Sequence, residues 1–201
     1  LAPLFHAQNP DVKISLNLSD RVIDLAAEGF DFAVRVGDLP DSSLVSVRLA
    51  DNRRLCVATP AYLAKHGTPQ HPSALLQHSC LTLSSDASQT RGWAFKVPPA
   101  DNAEGPEVTY LRPHGPLDCS DGQVLHSWCL ASMGIAWRST WEVENDIASG
   151  QLVEVLADFA APPNGIYGVF PQRKHLPLRL RLWIDFLKHH FSLPSTWQSA
   201  P

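Results

Sequence analysis

The sequence predicts an α/β protein of two lobes, each a mixed, mainly parallel sheet flanked by helices, joined by two crossover hinges. Three observations carry this prediction. Short apolar strands alternate with single amphipathic helices along the first two thirds of the chain, the pattern of sheets covered on both faces. The pattern runs twice, with Pro-rich joints near 69–78 and 161–165. A last strand and helix at 166–191 are too short for a third domain and return to the first lobe, which implies a hinge and a cleft. The expected divisions are 1–75 plus 165–192 for lobe I, 76–164 for lobe II, and 193–201 as a tail.

The elements follow in order. The run LAPLFHAQNP opens the chain as a helix. Val12 to Leu18 alternates apolar and polar at period two, a half-buried strand. Ser19 or Asp20 caps a short helix whose apolar face is Val22, Ile23, Leu25 and Ala26, and Gly29 stops it. Phe30 to Val36 is a strand with little charge, so central in its sheet. Leu44 to Leu49 and Arg54 to Ala58 read as two more strands, and Thr59-Pro60 opens a helix closed by Gly67. In the second run, Cys80 to Leu83, Trp93 to Val97, Val108 to Leu111 and Leu117 to Cys119 are strands. Ser120 or Asp121 caps a helix whose apolar positions are Val124, Leu125, Trp128 and Ala131, ended by Gly134. Ile135 to Trp137 is a short strand, and Ser139 with Glu142 has the spacing of a capping box. After a short apolar piece at 152–156, Pro162-Pro163-Asn164-Gly165 is a strong turn or crossing signal. Ile166 to Phe170 is the last strand, and Leu180, Trp183, Ile184, Leu187 and Phe191 mark the last amphipathic helix.

Composition narrows the function. Of 201 residues, 44% are apolar and 18% charged, ordinary for a globular protein with a real core. The formal charge is −4, and the basic residues at 48–54 and 173–181 read as solvated edges, so strong DNA contact by this chain is not expected. Four cysteines at 56, 80, 119 and 129 lack metal or dithiol spacing and sit in apolar stretches, which fits buried thiols in a reducing compartment. No apolar run approaches the length of a membrane span, and the Asn17-Leu18-Ser19 sequon is discounted as a chance match.

No G-x-S-x-G, G-x-G-x-x-G or H-E-x-x-H motif is present, nine histidines are scattered, and no cofactor is implied. Cys119 before Ser120 and Asp121 has the look of a thiol at a helix N-terminus, but no histidine has an obvious claim to be its base. The more informative feature is the residue type at the strand ends. In open α/β sheets, ligands bind beyond the carboxyl ends of strands, where helix N-termini favour a carboxylate. Here those ends carry Ser19-Asp20, Gly37, Ser84-Ser85 and Ser120-Asp121-Gly122. Each alone reads as a cap or turn; together they describe a cleft for a small polar ligand.

The segment Ile23 to Gly67 carries a family resemblance. The D-L-x-x-E-G-F-D-x-A-x-R-x-G run at Asp24–Gly37, D-S-S-L at Asp41–Leu44 and P-A-Y-L-x-x-x-G at Pro60–Gly67 resemble the effector-binding domain of LysR-type transcriptional regulators. So do H-x-C-L at His78–Leu81, W-x-F at Trp93–Phe95, M-G-I-A at Met133–Ala136 and G-Q-L-V-x-V-L at Gly150–Leu156. The resemblance spans nearly the whole chain. It implies a periplasmic-binding-protein-like (type 2) fold, a cytoplasmic protein, and a small-molecule effector in the cleft, where the polarity of the strand ends suggests a carboxylate or other anion. By position, ligand contacts fall to Ser19, Gly37 and Leu39 in the first lobe, and to Ser84, Ser120, Asp121 and the loop after Ile135 in the second. Arg35 is either a carboxylate clamp or a structural arginine paired to Asp24, Asp31 or Asp41.

The resemblance also implies homodimers packed lobe I to lobe II, antiparallel, and tetramers of the full-length protein. The helix at 1–9 and strand at 12–18 would then face the helix at 121–133 of a partner, giving exposed Leu4, Phe5 and Val12 a reason to be apolar. DNA is expected to be bound only through a winged helix-turn-helix head upstream of this chain. Family members also carry a strand before the first helix, which is not in these residues, and often Pro where Arg138 stands. Two other readings are a solute-binding protein for uptake and an enzyme on a related two-lobed fold using Cys119.

Overall fold

The computed structural model describes residues 1–18, 24–37, 44–83, 92–97, 107–172 and 175–193. In chain order its elements are α1 (Ala2–Gln8), β1 (Ala33–Val36), β2 (Leu44–Asn52), β3 (Arg54–Ala58), α2 (Pro60–His66), β4 (Cys80–Leu83), β5 (Trp93–Val97), β6 (Glu107–Leu111), β7 (Asp118–Cys119), α3 (Gly122–Leu130), β8 (Ile135–Ser139), α4 (Thr140–Ala148), β9 (Val153–Val155), β10 (Asn164–Pro171) and α5 (Leu178–Phe191). Short 3-10 turns at Pro72–Gln77 and Ala157–Phe159 complete the list. The described residues form two compact units. Unit one holds the chain up to Asn52 and from Asn164 onward; unit two holds Arg53–Pro163.

In unit one the strand order is β1-β10-β2, and both pairings are antiparallel. This corrects the expectation of a mainly parallel sheet for these strands. β2 ends at Asn52, where the chain leaves the unit, and β10 begins at Asn164, directly opposite. A strand that returns at the end where its neighbour left must run the other way. α1 and α5 supply the apolar cover. Phe5, 1% exposed, meets Trp183 edge-on at 4.9 Å and Phe186 at 5.2 Å, in a cluster with Leu49, Ile166 and Leu187. Leu180, Ile184 and Leu187 recur on one face of α5, as its periodicity predicts, and are buried.

Two local expectations change here. The helix expected near 22–28 is seen, in its described part, as turns at 25–29: Asp24 Oδ1 accepts from the N–H groups of Ala26 and Ala27, and Gly29 closes the segment at φ 74°. The strand expected at 12–18 joins no ladder with described residues. Period two would set Val12, Ile14, Leu16 and Leu18 on one face, but only Val12 and Ile14 pack into the core; Leu16 and Leu18 are 65% and 90% exposed. A strand needs a partner to carry its facing along its length.

Unit two is built on one mixed sheet, β7-β4-β8-β3-β9. β4 lies parallel to β7 and β8, and β3 antiparallel to β8 and β9. β3 is buried on both faces: Leu55 and Val57 face one apolar cluster with Leu125, Cys129 and Val143, while Cys56 and Ala58 face another with Leu75, Phe95 and Ile135. β5 and β6 form a separate antiparallel pair. The first crossing therefore comes at Asn52/Arg53, earlier than the 75/76 joint expected. Only Arg53 separates β2 from β3, so two strands of different sheets read in sequence as neighbours. The Pro-rich stretch near 69–72 is a loop within unit two.

The aromatic contact between α1 and α5 gives a first test. Phe5→Ala removes a buried ring and is expected to cost about 3–5 kcal/mol. Urea unfolding followed by tryptophan fluorescence reads the loss directly; a change under about 1 kcal/mol would mean that α1 is not part of this core.

Candidate ligand-binding site

Gly37 follows β1 and is buried, at φ 101°, a region that favours glycine. Its N–H donates to the Gly165 carbonyl at 2.8 Å. A side chain at this position would begin 3.4 Å from Asn164 Nδ2. The turn thus brings the backbone of Gly37 against the first two residues of β10. Gly165 in turn lies under the Tyr167 ring, where a Cβ would not fit. Arg35, half-buried, stands opposite Tyr167 and is not an unpartnered cation. Of its three expected acidic partners, Asp24 caps the turn at 24–27, Asp31 reaches Arg179 at 3.4 Å, and Asp41 lies outside the described residues.

The two crossing points meet in this corner. Asn52 Nδ2 donates to Asn164 Oδ1 at 2.9 Å. Asn52 is 2% exposed and its own Oδ1 is buried without a partner. An unsatisfied buried polar atom costs about 1–3 kcal/mol. Sequence reasoning passed over both residues. Pro162-Pro163-Asn164-Gly165 registered as chain punctuation, and nothing in local spacing links Asn164 to a residue 112 positions away.

In unit two, Asp121 is the N-cap of α3. Its Oδ1 accepts from the N–H groups of Gln123 at 2.8 Å and Val124 at 2.9 Å. The protein's own carboxylate therefore occupies the helix N-terminus where a ligand anion was expected. Ser120 is exposed and engaged in a contact of its own. Ile135 is a correction: it is fully buried, it is the first residue of β8, and its N–H donates to the Ser79 carbonyl at 2.9 Å. No loop follows it, since β8 runs on to Ser139. Ser19, Leu39 and Ser84 lie outside the described residues.

Arg138, where the family often has Pro, is buried and ion-paired with Glu142. Glu142 Oε2 also accepts the Ser139 N–H at 3.0 Å, as the capping-box spacing predicts. A Cβ at Gly122 would lie 2.7 Å from the Arg138 guanidinium, so a side chain at the start of α3 would displace the Arg138 head group. The basic edge is likewise paired, with Arg48 on Asp51 at 2.7 Å and Arg53 on Glu154 at 3.2 Å.

The thiols divide by burial. Desolvation pushes Cys80 and Cys129 up to about 12 and Cys56 well above its ordinary value, so all three stay protonated. Cys119 is half-buried, and its thiol donates to the Asp121 carbonyl at 3.1 Å. An open depression of about 540 Å³ lies within unit one between α1 and α5, lined by Gln8, Asn9, Leu182, Phe186, His189 and His190. It shares no residue with the expected ligand positions.

Comparison with known proteins agrees with the motif pattern. A family model described as the LysR substrate binding domain matches residues 1–192. The chain belongs to this family. It is 35% identical over 183 residues to the HTH-type transcriptional regulator DmlR of Escherichia coli K12, covering 91% of this chain and 57% of that protein. It is 39% identical over 194 residues to the HTH-type transcriptional regulator CrgA of Neisseria meningitidis serogroup C, covering 93% and 61%. The solved regulatory domain of CrgA from Neisseria meningitidis superposes with a TM-score of 0.75 at 35% identity, covering 96% of this chain and 90% of that one. The chain thus spans less than two thirds of DmlR and of CrgA, and corresponds to their regulatory, substrate-binding part. The two-lobed periplasmic-binding-like fold is that of the LysR regulatory domains.

One feature of unit two sets a pH dependence for this LysR domain. Tyr62 Oη and His78 Nδ1 lie 3.3 Å apart, and Tyr62 Oη accepts the Ser79 N–H at 3.1 Å. Burial, then the neighbouring His66, hold the His78 imidazole below its ordinary value. The neutral ring is favoured in the fold. Its stabilisation is complete above the unfolded value of about 6.5 and is lost as pH falls through it toward the lower folded value. Urea midpoints measured from neutral pH down to about pH 5 should fall more steeply for the wild type than for His78→Gln. Superposable pH profiles would remove His78 as the cause.

Proposed function

We propose that this domain senses a small-molecule effector and that effector binding alters how the full-length regulator sits on promoter DNA. The match to the LysR substrate-binding domain over residues 1–192 carries this reading. Ligand contacts come from Gly37 in unit one and Ser120 in unit two, with Ser19, Leu39 and Ser84 as further positions. The domain acts by binding rather than turnover, in the cytoplasm, where promoters are. DNA contact belongs to a winged helix-turn-helix domain elsewhere in the full-length chain. The net charge of −4 and the paired arginines of the basic edge support that division of labour. No helix among the described residues is long and apolar enough to cross a membrane.

The effector is a small organic acid. A panel of aromatic and aliphatic acids, each paired with its neutral amide, tests this by thermal shift. At 100 times its dissociation constant, a ligand adds about 2.7 kcal/mol, which raises the midpoint of a domain this size by roughly 5–10 °C. Response to amides or cations alone would overturn the acid reading.

The domain pairs with a second copy, antiparallel, α1 and residues 12–18 of one against α3 of the other. Leu4 is 55% exposed on α1 and Val124 42% exposed on α3, and Leu16 and Leu18 of the 12–18 segment are exposed as well. Phe5 is excluded from that surface, because it is spent on its own core. Sedimentation velocity is expected to show a dimer that Leu4→Asp or Val124→Asp dissociates. A wild type that stays monomeric at high micromolar concentration, or variants that stay dimeric, would rule out this packing.

A further inference from the structure

Asn52 is the last residue of β2 and Asn164 the first of β10, so these two amides mark where the chain leaves and re-enters unit one. They face each other in register and are joined by the 2.9 Å bond from Asn52 Nδ2 to Asn164 Oδ1. Asn52 is buried with half of its carboxamide unsatisfied. An apolar residue of similar size would fill that space without an orphaned oxygen, so the amide needs a reason beyond packing. The bond it makes has one geometric consequence. It fixes the plane of the Asn164 carboxamide by holding its oxygen.

With Oδ1 held on one branch, Nδ2 occupies the other and lies against Gly37, 3.4 Å from where a side chain there would begin. The surroundings are fixed as well. Gly37 N–H is bonded to Gly165 O at 2.8 Å, and Arg48 donates to the Asn164 carbonyl at 3.4 Å. Asn164 is half-exposed, and among the described residues its Nδ2 has no hydrogen-bond acceptor. A positioned, solvent-reachable N–H donor thus stands at the turn where glycine lets the backbone approach closely. It carries no charge of its own and has no acidic neighbour bonded to it, unlike the start of α3, where Asp121 already fills the anion position.

We propose that Asn164 is an effector-binding residue whose Nδ2 donates to a carboxylate oxygen of the ligand at the Gly37 turn, and that Asn52 is the positioning residue that aims it. This rests on Gly37 being a ligand contact. A ligand held here engages both crossing points of unit one at once, through Asn164 directly and Asn52 at one remove.

Side-chain amide signals in ¹⁵N-labelled protein, titrated with benzoate and with succinate, test the proposal. The Asn164 pair is assigned by its loss in Asn164→Ser. An acid that stabilises the wild type is expected to move the Asn164 signals, and benzamide or succinamide to leave them in place. Asn164→Ser should weaken that acid about tenfold, the usual worth of a hydrogen bond to a charged group, and Asn164→Asp more, since it sets a carboxylate against a carboxylate. Asn52→Leu, which retains bulk, should leave the melting midpoint near the wild type, weaken the acid, and abolish the Asn164 response. If an acid binds the wild type while Asn164→Ser binds it equally, or the Asn164 signals stay still, the role of Asn164 is refuted and the effector reading stands. If no acid of the panel, benzoate and succinate included, binds the wild type while amides or cations do, the carboxylate reading itself fails and this inference with it.

Discussion

The chain leaves unit one at Asn52 and returns at Asn164, and these residues are paired across the same end of the same sheet. That pairing constrains much of unit one. It forces β10 to run antiparallel to β2 and inserts it between β2 and β1, so a strand from the end of the sequence becomes the centre of a sheet otherwise made near its start. It places Gly165 where its carbonyl meets the N–H of Gly37. The register slips between Ile166 and Tyr167, and the Tyr167 ring then folds over Gly165, with Arg48 5.8 Å from its centroid. A bulge at such a point re-aims side chains without breaking the ladder beyond it. The remaining register to Pro171 is regular, and it carries Val169 and Phe170 into the core.

The two units handle their polar ends differently. At the start of α3, free N–H groups of the helix are met by Asp121 from the chain itself, and a buried Arg138–Glu142 pair lies close by. A guanidinium beside a helix N-terminus is electrostatically unfavourable on its own; Glu142, its ion-pair partner, offsets it. The helix N-terminus is closed by the chain's own carboxylate, although Arg138 Nε is buried without a partner. At the Gly37 turn two carboxamides and backbone meet, flanked by the Arg48–Asp51 pair, and an amide donor is left over. Helix-terminus chemistry, which makes every fold of this class look anion-binding from its sequence, is therefore largely consumed by capping in α3.

Much of the fold was legible because the signals were local. The periodicity at 178–191, the Ser139–Glu142 box and the glycine at 67 each specify structure over a few residues, and each held; Gly29 kept its left-handed turn, although turns rather than a helix precede it. The family motifs were legible too, since their order along the chain survives without any knowledge of contacts. Three things were not. Strand partners are chosen by distant residues, so 12–18 read as a strand without a ladder, and the direction of β10 was hidden. The crossing at Asn52/Arg53 was masked because one residue suffices to pass between sheets when both strands are extended. Ile135 was misplaced because a strand end and a ligand loop look alike until burial separates them.

The site was legible to a lesser degree, for a physical reason. A sequence advertises residue types that bind anions by charge or by hydroxyl, which is why Arg35, Ser120 and Asp121 stood out. It does not advertise a neutral amide whose usefulness depends on orientation. Asn164 acquires direction only through Asn52, and Asn52 acquires a role only through burial that leaves it no other partner. Such pairs are specified by the fold closing on itself, here by two crossings meeting at one sheet end. The same constraint that fixes the topology of unit one thus also orients the polar group closest to its glycine turn, and if Asn164 binds the effector as proposed, a domain of this kind can change ligand by altering that amide while leaving the helix caps alone.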